Sequence, residues 1–189
     1  MRCMVEEAGV APHLVEGLDI LSIVEAAQNE LNQRGQDGEA FRRNAFAVLE
    51  EIEVEGASRP ALLQGTIECL MELRDSGVAV GIVTRNCRRV ATNLLARFDV
   101  PHAALLTRDD VRRAKPHPEH LHSALTLLGA VPEQAMMVGD HWMDVQAGSR
   151  AGCALTVGVL GRHSADWFAP CPPDFLVPDL SEIPTYWRN

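Results

Sequence analysis

No run of about 18 apolar residues, the length a spanning helix needs, occurs in the 189-residue chain, so no membrane span is expected. Its five cysteines, Cys3, Cys69, Cys87, Cys153 and Cys171, never form a Cys-x-x-Cys pair. Scattered in this way, they predict free thiols in a reducing compartment and neither a disulfide frame nor a zinc site. A Gly-x-Gly-x-x-Gly fingerprint is lacking too, which argues against a dinucleotide enzyme. The opening residues Met1 to Glu7 do not show the charged-then-apolar pattern of a secretion signal, so a cytoplasmic location is the expectation. Internal repeats and low-complexity tracts are absent. Excess positive charge is also absent: the formal net charge is −9. Such a surface repels nucleic-acid phosphates and anionic lipid, so neither nucleic acid nor membrane is expected as a partner. A small phosphorylated metabolite remains compatible, because it feels the local field of a pocket and not the global charge.

What the chain does contain is ordinary for a globular protein, with 47% hydrophobic and 23% charged residues. The length suits one core domain and a small appendage, and the character of the sequence changes near residue 60. Before that point the apolar residues recur at helical spacing. Leu18, Leu21, Ile23, Val24, Ala27 and Leu31 form one set, and Phe41, Ala45, Phe46, Leu49 and Ile52 a second. Arg34 to Gly38, with two glycines, separates them as a turn. Residues 1–59 therefore predict a small helical hairpin with its lead-in. Residues 60–189 alternate helix and strand. Helices are predicted over Thr66–Asp75, Arg88–Phe98, Pro118–Leu128 and Asp144–Ala151. Short apolar runs at Val78–Val83, Ala103–Leu106, Ala135–Val138 and Ala154–Val157 read as buried strands, with a last one near Phe175–Val177. Pro170–Pro173 reads as a surface loop. The class is α/β, a Rossmann-like parallel sheet flanked by helices.

In an open α/β sheet, ligands bind beyond the carboxyl ends of the strands. The first strand ends in Thr84-Arg85-Asn86, a hydroxyl, a guanidinium and an amide opening a helix, all suited to an anion. The second leads through a loop to Lys115-Pro116-His117-Pro118. The third ends in Gly139-Asp140-His141-Trp142-Met143-Asp144, where two carboxylates four residues apart can face one hard cation such as Mg²⁺. Each signal has a plainer reading: Thr84 as a helix cap, Lys115 as a surface charge, the acidic pair as an N-cap with an exposed neighbour. Their succession along consecutive strands is what points to phosphate chemistry. Arg85 can serve a second anionic group or pair with a core carboxylate. Trp142 can wall the pocket or pack on the hairpin. His117, His120 and His122 fit one helix face poorly as metal ligands and read as structural or surface residues.

These residues resemble the haloacid dehalogenase superfamily, in its phosphoglycolate-phosphatase-like branch. Val83-Thr84-Arg85-Asn86 is similar to that family's second motif, Arg113-Ala114-Lys115-Pro116-His117-Pro118 to its third, and Gly139-Asp140-His141-Trp142-Met143-Asp144 to its fourth. Gly65-Thr66-Ile67 and Asp174-Phe175-Leu176-Val177 agree, so the resemblance covers about residues 60–180. It implies phosphoric monoester hydrolysis through an aspartyl-phosphate, with Thr84 and Lys115 catalytic and Thr84, Arg85, Asn86 and Lys115 holding phosphate. Asp140 is then the Mg²⁺ ligand, and Asp144 supports the metal site. The hairpin resembles the family's small helical cap. Dehalogenation itself is disfavoured, because that chemistry has no use for the acidic pair.

One family element is not found. Members begin with an apolar strand ending in Asp-x-Asp-Gly-Thr, whose first aspartate attacks phosphorus and whose second is the general acid/base. Asp19 and the pair Asp109-Asp110 have the wrong neighbours for this role. The expectation is a chain that starts after that motif, lacks the central strand, and is inactive as it stands. A phosphate- and metal-binding pseudoenzyme or interaction protein is the rival reading.

Overall fold

The structure, a computed structural model, describes residues 1–187 and divides the chain into two compact units, Met1–Ser58 and Arg59–Asn189. In the first, α1 (Arg2–Glu7) precedes the hairpin of α2 (Ile20–Gln33) and α3 (Gly38–Gly56). Asp19 caps α2, accepting from the Leu21 N–H at 3.1 Å and the Ser22 hydroxyl at 2.6 Å. Asp37 does the same for α3 through the Ala40 N–H at 2.8 Å. Such caps satisfy amides that no helical carbonyl can reach. Ile23, Val24, Ala27 and Leu31 of α2 meet Phe41 and Ala45 of α3 in a core that Val5 of α1 also enters. Helix α1 is not foreseen by the periodicity. Leu18 and Ile52, assigned to apolar faces by spacing, are 42% and 55% exposed.

The second unit follows the α/β expectation with shifted boundaries. Its elements run α4 (Thr66–Asp75), β1 (Gly81–Val83), α5 (Arg88–Arg97), β2 (Ala104–Leu106), α6 (Glu119–Leu128), β3 (Met136–Gly139), α7 (Trp142–Ala151), β4 (Leu155–Val159), β5 (Phe175–Val177) and α8 (Ile183–Trp187). Strand β1 starts three residues later than its apolar run, for a local reason. Gly77 turns left-handed (φ 78°) after α4, and the Val78 N–H closes back on the Leu73 carbonyl at 2.9 Å. That six-to-one bond makes Val78 part of the helix C-cap. Helix α7 starts two residues earlier than predicted, because His141 serves as its N-cap.

All strand pairs are parallel, but they form two sheets, β1-β2 and β3-β4-β5. Parallel strands flanked by helices are what the sequence led us to expect. Between the two lies a cavity of about 980 Å³ that touches β1, β3, α4 and α6.

Helix α7 sits tightly on the second sheet. A Cβ on Gly148 would lie 2.6 Å from the Met137 Cβ and 3.0 Å from the Thr156 Cγ2. Neither neighbour is the free end of a flexible side chain. Gly148→Ala should therefore destabilise the unit by about 1–3 kcal/mol through overpacking, despite alanine's better helix propensity. Urea unfolding followed by circular dichroism measures this; an unchanged midpoint would refute the tight fit.

Candidate active site at the carboxyl ends of the strands

Thr84 follows β1 directly, and its N–H extends the sheet by donating to the Leu106 carbonyl at 2.8 Å. Its hydroxyl accepts from the Asn86 N–H at 3.2 Å within the turn, and the plainer reading of a helix cap fails, because the N-cap of α5 is Cys87. The Asn86 carbonyl accepts from the Arg108 N–H at 3.3 Å, which fastens this turn to the end of β2. The Arg85 guanidinium reaches the Met143 sulfur at 2.5 Å, at the start of α7.

Lys115 is not a surface charge. It is 8% exposed, and its ammonium donates to Asp144 Oδ1 at 2.7 Å and to the Val83 carbonyl at 2.6 Å. The lysine thus joins the end of β1 to the start of α7. Asp144 is committed on both oxygens, since Oδ2 accepts from the His141 N–H at 3.1 Å. His141 Nδ1 in turn accepts from the Met143 N–H at 3.1 Å, completing a reciprocal cap. Gly139 belongs to this arrangement: a Cβ there would collide with the Asp144 side chain.

Asp140 is placed differently. It is exposed, and its backbone carbonyl accepts from Trp167 Nε1 at 3.0 Å. Trp167 stacks on His163 with ring centroids 4.5 Å apart and meets the edge of His141 at 4.9 Å. This cluster holds the loop after β4 against the Asp140 turn. Sequence reasoning had no signal for it, because Trp167 lies 27 residues away in a segment without periodicity. Trp142 is half-buried, 5.4 Å from the His141 ring.

The three histidines near Lys115 each bond to backbone and do not converge. His117 Nδ1 accepts from the Glu119 N–H, and the His122 ring pairs with the Ala151 carbonyl. His120 is the one that matters to the site. It is fully buried, and its Nδ1 accepts from the Lys115 N–H at 3.2 Å. Its place in the first turn of α6, close to Lys115, is visible in the sequence only as a polar residue on a buried face. Asp109 and Asp110 also stay apart from the acidic pair. Asp110 caps the turn at Thr107 and pairs with Arg88 at 2.6 Å.

Mg²⁺ is commonly held by one or two carboxylates, with waters and substrate oxygens completing six positions. The residues fit that pattern: the exposed Asp140 carboxylate would bind directly, and Asp144, tied to Lys115 and to the helix cap, would shape the site. Among the described residues no three His, Cys, Asp or Glu side chains converge on one point.

Residues 15–158 match the haloacid dehalogenase-like hydrolase family, which is three-quarters of the chain. The chain belongs to this family. Its similarity to pyrophosphatase PpaX of Bacillus cereus is 40% identity over 121 residues, 61% of this chain and 55% of the relative. The Bacillus anthracis protein of the same name is 39% identical over the same share. The chain thus spans about half the length of the curated relatives it matches. Among solved structures, a predicted phosphoglycolate phosphatase from Haemophilus somnus superposes with a TM-score of 0.66 at 20% identity, covering 97% of this chain and 87% of that one. A HAD phosphatase from Thermococcus onnurineus gives 0.62 at 22% identity, covering 88% and 89%. At those identities the structures speak for the fold, which is that of HAD-like proteins.

Burial, and then the nearby Lys115 charge, push the His120 pKa down from 6.5 to about 4, against a weaker opposite pull from the Leu106 and Thr107 carbonyls. The folded ring stays neutral down to that pH, whereas the unfolded chain takes up a proton near 6.5. Stability should therefore fall as pH drops from about 6.5 toward about 4, by on the order of 3 kcal/mol from this group alone. Urea unfolding across that range should show His120→Asn, whose amide oxygen can still accept from Lys115, losing less stability than wild type. Parallel curves would refute the buried neutral histidine.

Replacing Lys115 by Met leaves the Asp144 carboxylate buried beside nothing positive at its Oδ1. Breaking such a pair from one side costs about 3–5 kcal/mol, and neutralising the other partner recovers part of it. Lys115→Met should be strongly destabilised, and the double variant Lys115→Met/Asp144→Asn less so. Equal midpoints for the two would show that the pair is not coupled.

Proposed function

We propose that the strand ends of the second unit form a phosphoryl- and Mg²⁺-binding site of phosphatase type for a small phosphorylated substrate. Thr84, Arg85 and Asn86 would hold the phosphoryl oxygens at the N-terminus of α5, where helix amides and a hydroxyl favour an anion. Lys115 would steady the phosphoryl charge from its fixed place between Val83 and Asp144. Asp140 would ligate the metal, which when bound neutralises charge on the transferring group, and Asp144 would keep Asp140 and Lys115 in register. The observation that carries this reading is the buried Lys115 ammonium, held at the carboxyl end of β1 by the carboxylate of a neighbouring acidic turn.

An aspartyl-phosphate route needs a further carboxylate as nucleophile, and one more as acid/base. The 189 residues contain no Asp-x-Asp-Gly-Thr run, so the chain by itself should bind without turning over. As a second reading, a binding-only pseudoenzyme is favoured by the same missing run. The first unit is proposed to correspond to the small helical cap of such phosphatases.

Isothermal titration with Mg²⁺ and inorganic phosphate tests the site. Wild type should bind both, and Asp140→Asn should weaken Mg²⁺ by roughly tenfold or more, the scale seen when metal-site partners are removed. A panel of phosphate monoesters with Mg²⁺ should show no hydrolysis. Folded protein that binds neither ion would end the proposal, and measurable turnover would end the claim that a carboxylate is lacking.

A further inference from the structure

Asp140 owes its place to a residue outside the acidic turn. The turn between β3 and α7 consists of Asp140 and His141, and the two are held unequally. The His141 N–H donates to Asp144 Oδ2 at 3.1 Å, and its Nδ1 accepts from the Met143 N–H at 3.1 Å. Asp140 makes one hydrogen bond among the described residues, accepted by its carbonyl from Trp167 Nε1 at 3.0 Å. That indole comes from a segment fastened on both sides. Before it, the Leu160 N–H donates to the Val177 carbonyl at 2.8 Å, and the Gly161 N–H to the Pro178 carbonyl at 3.0 Å. After it, Phe168 is 1% exposed and packs so closely on β4 that a Cβ on Gly158 would lie 3.0 Å from its ring. The indole plane is set by His163, parallel to within 9° at a centroid distance of 4.5 Å, and by the His141 ring at 82° and 4.9 Å. A donor fixed in this way holds the peptide that carries the Asp140 side chain.

We infer that Trp167 is a positioning residue for the cation site, setting its affinity through the main chain of Asp140 without touching the ion. This role rests on the function proposed above, in which Asp140 ligates Mg²⁺. With its carbonyl turned to the indole, the Asp140 peptide keeps one orientation, and the exposed carboxylate leaves the turn in one direction. A ligand presented on an ordered backbone has less freedom to lose when the ion arrives. Lys115 and Asp144 do not supply this order directly, because their bonds reach the turn through the His141 N–H. A plainer role for Trp167 is that of a clasp that only keeps the loop after β4 on the core. The two roles differ in one necessary consequence. If the indole bond raises cation affinity by some factor, the bound cation strengthens the indole bond by the same factor. A clasp without bearing on the ion does neither.

Two measurements on the full 189-residue chain read both sides of that reciprocity, with Mg²⁺ alone as the probe. Trp167→Phe keeps a ring against His163 and removes the N–H. Isothermal titration should show it binding Mg²⁺ roughly fivefold more weakly than wild type, the scale of one net hydrogen bond. Nitrogen-15 NMR resolves the indole N–H groups of the three tryptophans, Trp142, Trp167 and Trp187. The Trp167 signal is the one that Trp142→Phe and Trp187→Phe both retain, so this readout stands whether or not Trp167→Phe folds. In wild type, saturating Mg²⁺ should slow hydrogen exchange at the Trp167 indole by a similar factor, roughly fivefold. Unchanged Mg²⁺ affinity in folded Trp167→Phe would overturn the proposal, and so would an indole exchange rate that Mg²⁺ leaves unaltered. Wild type that binds no Mg²⁺ would end the proposed function and this role with it. Mg²⁺ binding that is indifferent to Trp167 would end this role alone.

Discussion

The buried ammonium of Lys115 is the constraint on which the site depends. It is the point where the first sheet and the second are joined by charge, through the Val83 carbonyl at 2.6 Å and Asp144 Oδ1 at 2.7 Å. A lysine this deep loses its hydration, and only a carboxylate with good geometry offsets that loss. The rest of the neighbourhood can be understood as support for it. His120 holds the lysine's backbone, the His141 cap holds the other oxygen of Asp144, and Gly139 leaves room for that carboxylate. The pair adds little to net stability compared with an apolar substitute. What it does is fix a positive charge at a strand end, where an anionic substrate is expected to arrive.

The separation into two sheets has consequences for that charge. Strands β1 and β3 carry the groups nearest to Lys115, yet no backbone bond links one strand to the other. The spacing between Thr84 and Asp140 is therefore set by side-chain and loop contacts: the lysine bridge, the Arg85 to Met143 contact, and the packing of α6 against both β1 and α7. Such contacts are softer than a ladder of hydrogen bonds. Geometry good enough to bind an ion is within their reach, whereas catalysis requires reacting groups held far more closely.

Much of this was legible in the sequence, and the failures have physical causes. Helices α2 and α3 and the strand order of the second unit follow from periodicity and from apolar runs bounded by turns. The ends of elements do not, because they depend on caps. Val78 is as apolar as its neighbours, but the left-handed Gly77 directs its N–H to Leu73 and takes it out of the strand. His141 looks like a loop residue, although its ring nitrogen serves α7 as an aspartate would. Contacts made across long sequence distances left no local trace at all. Trp167 holds Asp140 from 27 residues away, and His120 could be seen only as an unexplained polar residue on a buried helix face. The split sheet was readable only as a consequence of an absent motif, not from any residue present.

The acidic turn shows best why residue type and spacing underdetermine chemistry. Asp140 and Asp144 are two identical side chains four residues apart, and each could be written as cap or as ligand. Their surroundings divide the roles. Asp144 has gained an ammonium and a helix N–H, which saturate its two oxygens and tie it to the fold. Asp140 has gained only a hydrogen bond to its backbone carbonyl, which fixes the main chain and leaves the carboxylate facing solvent. A cation approaching this turn meets one acid with coordination capacity to spare and one already neutralised. The second would still bear on a cation held there, because any movement of Asp144 would pull on both Lys115 and the turn that presents Asp140. On the proposed reading a metal-binding acid and a positioning acid would be the same residue type, distinguished only by what the fold has already bonded to each.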